Sequence, residues 1–366
     1  MNWRGTVTKS SVDLSSQCGE DIGTHESARR LRHLTRATFF AWLWQHVVFF
    51  ATNRHKTILS FKRIQTEQSA MEPNKTSDYP QELWYALEDY NHGLISRRKF
   101  IERARNITVG GLAGIALLES LSPNYAWGQQ VPTDDSRVTT EYATAPSPEG
   151  NGSIRGYLAR PANATGRLPG VIVIHGASSL NPHIEDIARR LATENFMAFA
   201  PDGATSVGGN AGGDTRSGEE LLRQVDPAKM EEDFVAATNW LMSRDDCTGK
   251  VAVAGFCFGG GMTNTLAVRM PDLTAAVPFY GRAPETVDVS KIRAAVLVHH
   301  AELDERLLAG WPAYEEALKA NNVQYEGYIY AEANHAFFND SGRRYGEAAA
   351  KLAWERTLTF LNTHLR

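Results

Sequence analysis

Residues 250–261 read Lys-Val-Ala-Val-Ala-Gly-Phe-Cys-Phe-Gly-Gly-Gly, and this run constrains the fold more than any other. A short apolar, strand-like segment ends at Gly255-Phe256-Cys257-Phe258-Gly259, and a helix-compatible segment follows from Met262 to Met270. Gly-x-Cys-x-Gly between strand and helix is the sequence form of a nucleophile elbow. The central residue is forced into a strained turn, and the positions two before and two after it must be small. The turn lifts the Cys257 sulfur to the end of a sheet. The following helix N-terminus favours a thiolate through its dipole and free N–H groups. Alone, the motif is equally the mark of a buried cysteine in a glycine-rich turn, so its meaning depends on what lies downstream.

The rest of the C-terminal two thirds has the matching rhythm. Val138 to Ala145 and Ser153 to Ala159 read as antiparallel strands joined across a Pro/Gly-rich turn. Gly170 to His175 is a continuous apolar run, as for a strand covered on both faces. Pro182 to Glu194 carries Ile184, Ile187, Ala188 and Leu191 at helical spacing. Further strands are expected at Met197 to Ala200, Ala275 to Tyr280, Ala294 to His300 and Gln324 to Tyr330, with helices at Ala228 to Met242, Trp311 to Ala320 and Tyr345 to Leu361. Strand and helix in alternation predict an α/β fold with a mostly parallel sheet, whose ligand site lies beyond the carboxyl ends of the strands. The glycine-rich stretch 203–217 fits no element and has the length of an active-site loop.

Three strand ends then supply three chemical types. Cys257 ends one strand, Asp304 follows the strand closing at His300, and His335 follows the strand closing at Tyr330. Nucleophile, acid, histidine is the chain order of α/β-hydrolases. A thiol with an ordinary pKa near 8.5 is only a few per cent ionised at neutral pH, so His335 must share its proton and Asp304 must orient the imidazole. Each residue singly has a plain alternative: a solvated acidic loop for Asp304, a loop contact for His335. His175 and His299 read as packing residues in or at strand ends. Cys247 precedes the elbow strand and Cys257 follows it, so about 25 Å separates them and a disulfide is excluded.

On these residues the chain resembles the dienelactone hydrolase family, in its branch exported by twin-arginine signals. The resemblance covers 131–366 and is carried by Leu180 to Leu191, Gly255 to Gly261, Val277 to Gly281, Ala301 to Asp304 and Asn334 to Asn339. It implies an α/β-hydrolase domain over 127–366, a Cys257-His335-Asp304 triad, and cleavage of a lactone or ester through a thioester. Two family features are missing. A family glutamate that helps ionise the cysteine is replaced in His175-Gly176-Ala177-Ser178-Ser179, where Gly176 has no side chain. Ala177 and Phe258 N–H groups then become the expected oxyanion donors. The family's substrate-binding arginine is unmatched at Asn339, which leaves Arg282, Arg343 and Arg344 as candidate carboxylate binders.

The N-terminal third is different. Residues 1–70 have no usable periodicity and read as an over-extended or disordered segment; the apolar run 38–51 is shorter than the ~20 residues of a bilayer span. Residues 71–126 read as a leader: Arg97-Arg98, the moderately apolar 107–118 stretch and Ala126 have the order of a twin-arginine signal. The expectation is engagement of the twin-arginine machinery, cleavage near Ala126 and a periplasmic or otherwise exported enzyme, cytoplasmic if the signal is unused. A net charge of −4 with 22% charged residues offers no basic surface for nucleic acid. No metal or other cofactor is expected, since the three cysteines form no C-x-x-C pair. The alternative function is a binding module with decayed thiol machinery, motivated by Gly176.

Overall fold

The computed structural model describes residues 79–107, 117–118, 121–126, 128–210, 213 and 215–366, without the side chains of 215–217. The expectations for 1–70, and for most of the apolar stretch after Arg97-Arg98, lie outside these residues. Among the described residues no helix is long and apolar enough to cross a membrane.

Eight strands form one sheet. They are β1 (Val138–Ser147), β2 (Gly152–Pro161), β3 (Leu168–Ile174), β4 (Met197–Pro201), β5 (Cys247–Phe256), β6 (Ala275–Phe279), β7 (Ala295–Ala301) and β8 (Tyr325–Tyr330). Their spatial order is β1-β2-β4-β3-β5-β6-β7-β8. β1 and β2 pair antiparallel, β2 meets β4 antiparallel, and every pairing from β4 to β8 is parallel. All parallel strands thus end on one edge, where their following loops gather.

The burial patterns explain the layers. Seven consecutive residues of β7 and five of β6 are buried, because helices cover both faces of the central strands. One apolar core contains Ile184, Ile187 and Leu191 of the helix Pro182–Thr193 with Phe360 and Leu361 of the helix Glu347–Leu365. The other contains Phe234 and Leu241 of Pro227–Ser243, Leu266 of Phe258–Arg269 and Leu318 of Trp311–Ala320. The architecture is that of an α/β-hydrolase.

Two regions hold structure that the sequence did not reveal. Part of the glycine-rich stretch becomes helical at Thr215–Leu222. More consequentially, residues of the expected leader form two helices, α1 (Gln81–Asn91) and α2 (Arg97–Ile107). Leu83, Trp84, Leu87 and Tyr90 of α1 bury against Phe100 and Ala104 of α2 and against Leu117 and Leu121. Their spacing is that of an amphipathic helix with one apolar stripe. Gln81 donates from Nε2 to the Leu303 carbonyl at 3.0 Å, and Arg306 reaches Asp89 at 2.9 Å. Arg223 donates to the Tyr90 carbonyl at 2.8 Å. These bonds fasten α1 to loops at the carboxyl edge of the sheet.

Candidate active site

Cys257 lies between β5 and the helix Phe258–Arg269 with φ 58° and ψ −114°. A non-glycine residue at positive φ stores strain that the surroundings must hold in place. The glycines permit it. A Cβ on Gly255 would fall on the Gly259 carbonyl, and one on Gly259 would fall on the carbonyl oxygens of Ile174 and His175 at the end of β3. Thiol and helix N-terminus are thereby aimed out of the sheet edge.

The acid and the imidazole are held by two loops laced together. Glu302 N–H donates to the Tyr330 carbonyl at 3.1 Å and Leu303 N–H to the Ala333 carbonyl at 3.0 Å. This lacing brings His335 Nδ1 to 2.5 Å from Asp304 Oδ2, with both residues buried. Donation from Nδ1 leaves Nε2 directed into the site, where it lies 3.4 Å from Glu88 Oε2 and has no hydrogen-bond partner, so it is open to a proton from the neighbouring thiol. Burial alone would lower the His335 pKa, yet Glu88, Cys257 and Asp304 together hold it well above the ordinary value. The structure therefore brings Cys257, Asp304 and His335 together, and Ala177 joins Cys257 and His335 on the wall of a cavity of about 160 Å³, with Asp304 behind His335. Phe258 is the first residue of its helix, where an N–H has no intrahelical acceptor.

The other expected histidines are structural. His175 accepts from Gly203 N–H at 3.0 Å while its Nδ1 contacts the Gly176 carbonyl at 2.7 Å. His299 is enclosed between the Tyr330 and Thr357 hydroxyls.

Arg282 and Arg343 require correction as carboxylate binders. The Arg282 side chain is 84% exposed beside Glu285, and neither residue lines the cavity. Arg344 and Arg97 do. The turn after Phe337 swings Arg344 inward, where it stacks over Trp84 of α1 at 5.3 Å. It also ion-pairs with Glu88 Oε1 at 2.6 Å.

Sequence reasoning missed Glu88 and His92 altogether. They stand one turn apart on α1 and at its C-cap, and both enter the site. Glu88 Oε2 is 3.4 Å from His335 Nε2, 3.6 Å from His92 Nδ1 and 4.0 Å from the Cys257 sulfur. His92 Nε2 is 3.4 Å from the same sulfur. A carboxylate thus reaches the thiol although position 176 has none. Burial would raise the Glu88 carboxyl, but His335, Arg344 and His92 outweigh it and bring it down to about 2. The only sequence signals were the i, i+4 Glu88-His92 pair and the Leu83-Trp84-Leu87-Tyr90 stripe.

Glu88, His92 and Cys257 present donor atoms within 4.8 Å of one another. Their types could suit a divalent cation. Arg344 and the two imidazoles already neutralise the negative groups, however, and their charge opposes a further cation. The cluster is a set of ion pairs.

Comparison with known proteins fits this geometry. The family model of the dienelactone hydrolase family matches residues 154–365. The chain belongs to the dienelactone hydrolase family. "Putative carboxymethylenebutenolidase" of Saccharolobus solfataricus is 34% identical over 245 residues, covering 57% of this chain and 93% of that protein. "Putative hydrolase fragment YghX" of Escherichia coli is 49% identical over 116 residues, covering 32% of this chain and 98% of the fragment. Among solved structures, a dienelactone hydrolase of Klebsiella pneumoniae, described as putative, superposes with a TM-score of 0.55. It has 29% identity and covers 62% of this chain and 99% of that one. In this dienelactone hydrolase family member, α1 and α2 precede the family match, so Glu88 and His92 stand outside it.

Proposed function

We propose that this protein hydrolyses a carboxylic ester or lactone through a Cys257 thioester, with His335 as proton carrier and Asp304 as its orienting acid. The observation that carries the reading is the His335-Asp304 hydrogen bond beside a cysteine held at an elbow. Burial would raise the Cys257 thiol, but His92 and His335 bring it down to about 6, so the resting nucleophile near neutral pH is a thiolate.

The thiolate attacks the acyl carbon, and Phe258 and Ala177 N–H groups receive the oxyanion. As the C–O bond breaks, imidazolium His335 gives its proton to the departing alkoxide, leaving thioester, alcohol and neutral imidazole. His335 then takes a proton from water, the hydroxide adds to the thioester carbon, and the acid leaves as the thiolate and imidazolium are restored. Asp304 stabilises that imidazolium throughout. Arg97 on the cavity wall favours substrates that carry an anionic group.

Glu88 removes the motive for the binding-module alternative, because it supplies the carboxylate that Gly176 lacks. Export through Arg97-Arg98 stays a separate proposal. Cleavage near Ala126 would strip Glu88, His92 and Arg97 from the site, so the mature N-terminus decides between a cleaved leader and a retained one. The function is tested by assaying p-nitrophenyl esters and small lactones with the full chain and its Cys257→Ala variant. Loss of turnover in the variant is expected, and unchanged turnover refutes the assignment.

A further inference from the structure

We propose that His92 is a further catalytic residue, the imidazolium counter-ion that keeps Cys257 ionised, and that α1 is therefore a working wall of the active site. The inference rests on the reading of Cys257 as nucleophile.

Two imidazoles address one sulfur from opposite ends of the chain. Each has its Nδ1 committed elsewhere: His335 to Asp304, His92 to the Glu88 carbonyl at 2.8 Å. A donor at Nδ1 leaves Nε2 of a neutral ring free to accept the thiol proton, and a ring protonated at both nitrogens donates to the thiolate. His92 Nε2 lies 3.4 Å from the sulfur, a normal separation for such a bond.

The helices support the same charge state. His92 caps the C-terminus of α1, and Cys257 is the N-cap of the helix Phe258–Arg269. A cation is favoured at the first and an anion at the second. The other charged groups near His92 are Glu88 on its own helix, Glu219 and Arg223 across from it, and His335 with Arg344 behind Glu88. Burial raises Glu219 to about 8, which leaves it largely uncharged at neutral pH and no rival for His92. Cys257 is the strongest influence on His92 and, against desolvation, raises it to about 9 with help from Glu88.

Two histidines allow a division of labour. His335 must shed and regain a proton in each half-reaction. His92 has no such duty and can remain charged throughout, so it supports the thiolate before attack and again when the sulfur leaves from the tetrahedral intermediate as an anion.

The test uses the full chain and follows the pH dependence of iodoacetamide alkylation at Cys257, located by peptide mapping, together with acylation by p-nitrophenyl acetate. The titration midpoint is the informative quantity, because a thiol of higher pKa is intrinsically more nucleophilic and masks the change at any single pH. His92→Gln is expected to move the midpoint upward by about one pH unit or more, toward the ordinary value near 8.5. His92→Lys retains charge and is expected to hold the midpoint below that of His92→Gln. A midpoint unchanged in His92→Gln, or no difference between the two variants, overturns the proposal. An active mature enzyme that begins after His92 overturns it too. The nucleophile reading fails separately: an enzyme that forms no acyl adduct refutes that reading even if His92→Gln shifts the midpoint.

Discussion

Glu88→Gln is the perturbation that probes the site's charge arrangement most sharply. Glu88 is buried among Arg344, His335 and His92, and glutamine preserves its shape while removing its charge. The carboxyl lies at about 2 against an ordinary 4.5. That difference is worth about 3 kcal/mol of stability at neutral pH. The sign follows from a depressed acid: the contribution is complete above the unfolded value of 4.5 and is lost as pH falls toward about 2. Urea unfolding of wild type and variant, followed by circular dichroism, should show the wild type more stable by about 3 kcal/mol at pH 7 and by roughly half as much near pH 3. A gap below about 0.5 kcal/mol at pH 7, or one that does not shrink with acid, would refute the ion-pair account.

Two further outcomes follow from the geometry. Acylation should rise as the thiol ionises near pH 6 and decline at alkaline pH as His335, the donor to the departing alkoxide, loses its proton, a bell readable from single-turnover rates across pH; a rate that does not fall on going from about pH 7 to about pH 5 would contradict the thiolate–imidazolium pair. Gly259→Ala places a Cβ against the carbonyl oxygens of Ile174 and His175, so thermal unfolding should report a loss of about 3 kcal/mol or failure to fold.

The sheet was legible because its signals are local. Gly170 to His175 and Ala294 to His300 are apolar runs whose length alone marks strands covered on both faces, and the Gly255-Gly259 pair marks the elbow by a steric demand that nothing else in the sequence explains. Cys257, Asp304 and His335 followed because chain order reports strand-end order in a parallel sheet. The contribution of α1 was not legible. Its apolar stripe could be seen, but its docking partners Leu303, Arg306 and Arg344 lie more than 200 residues away. Arg97-Arg98 also has the order of an export signal, so the sequence reads the segment as a leader and gives no sign of its place beside the catalytic cysteine. Arg344 rather than Arg343 enters the cavity for a comparable reason: the direction of each side chain is set by the turn after Phe337, which no spacing rule specifies. The helix Thr215–Leu222 was hidden by the polar, glycine-rich composition around it.

The central claim is a covalent acyl intermediate on Cys257. His335→Gln should slow deacylation more than it slows attack by a thiolate that His92 still supports, so the intermediate should accumulate in that variant. Peptide mass mapping after a pulse of p-nitrophenyl acetate is therefore expected to find the acetyl group on the peptide containing Cys257, removable by hydroxylamine. An acetyl group on another residue, or none on Cys257 while ester turnover continues, would contradict the account.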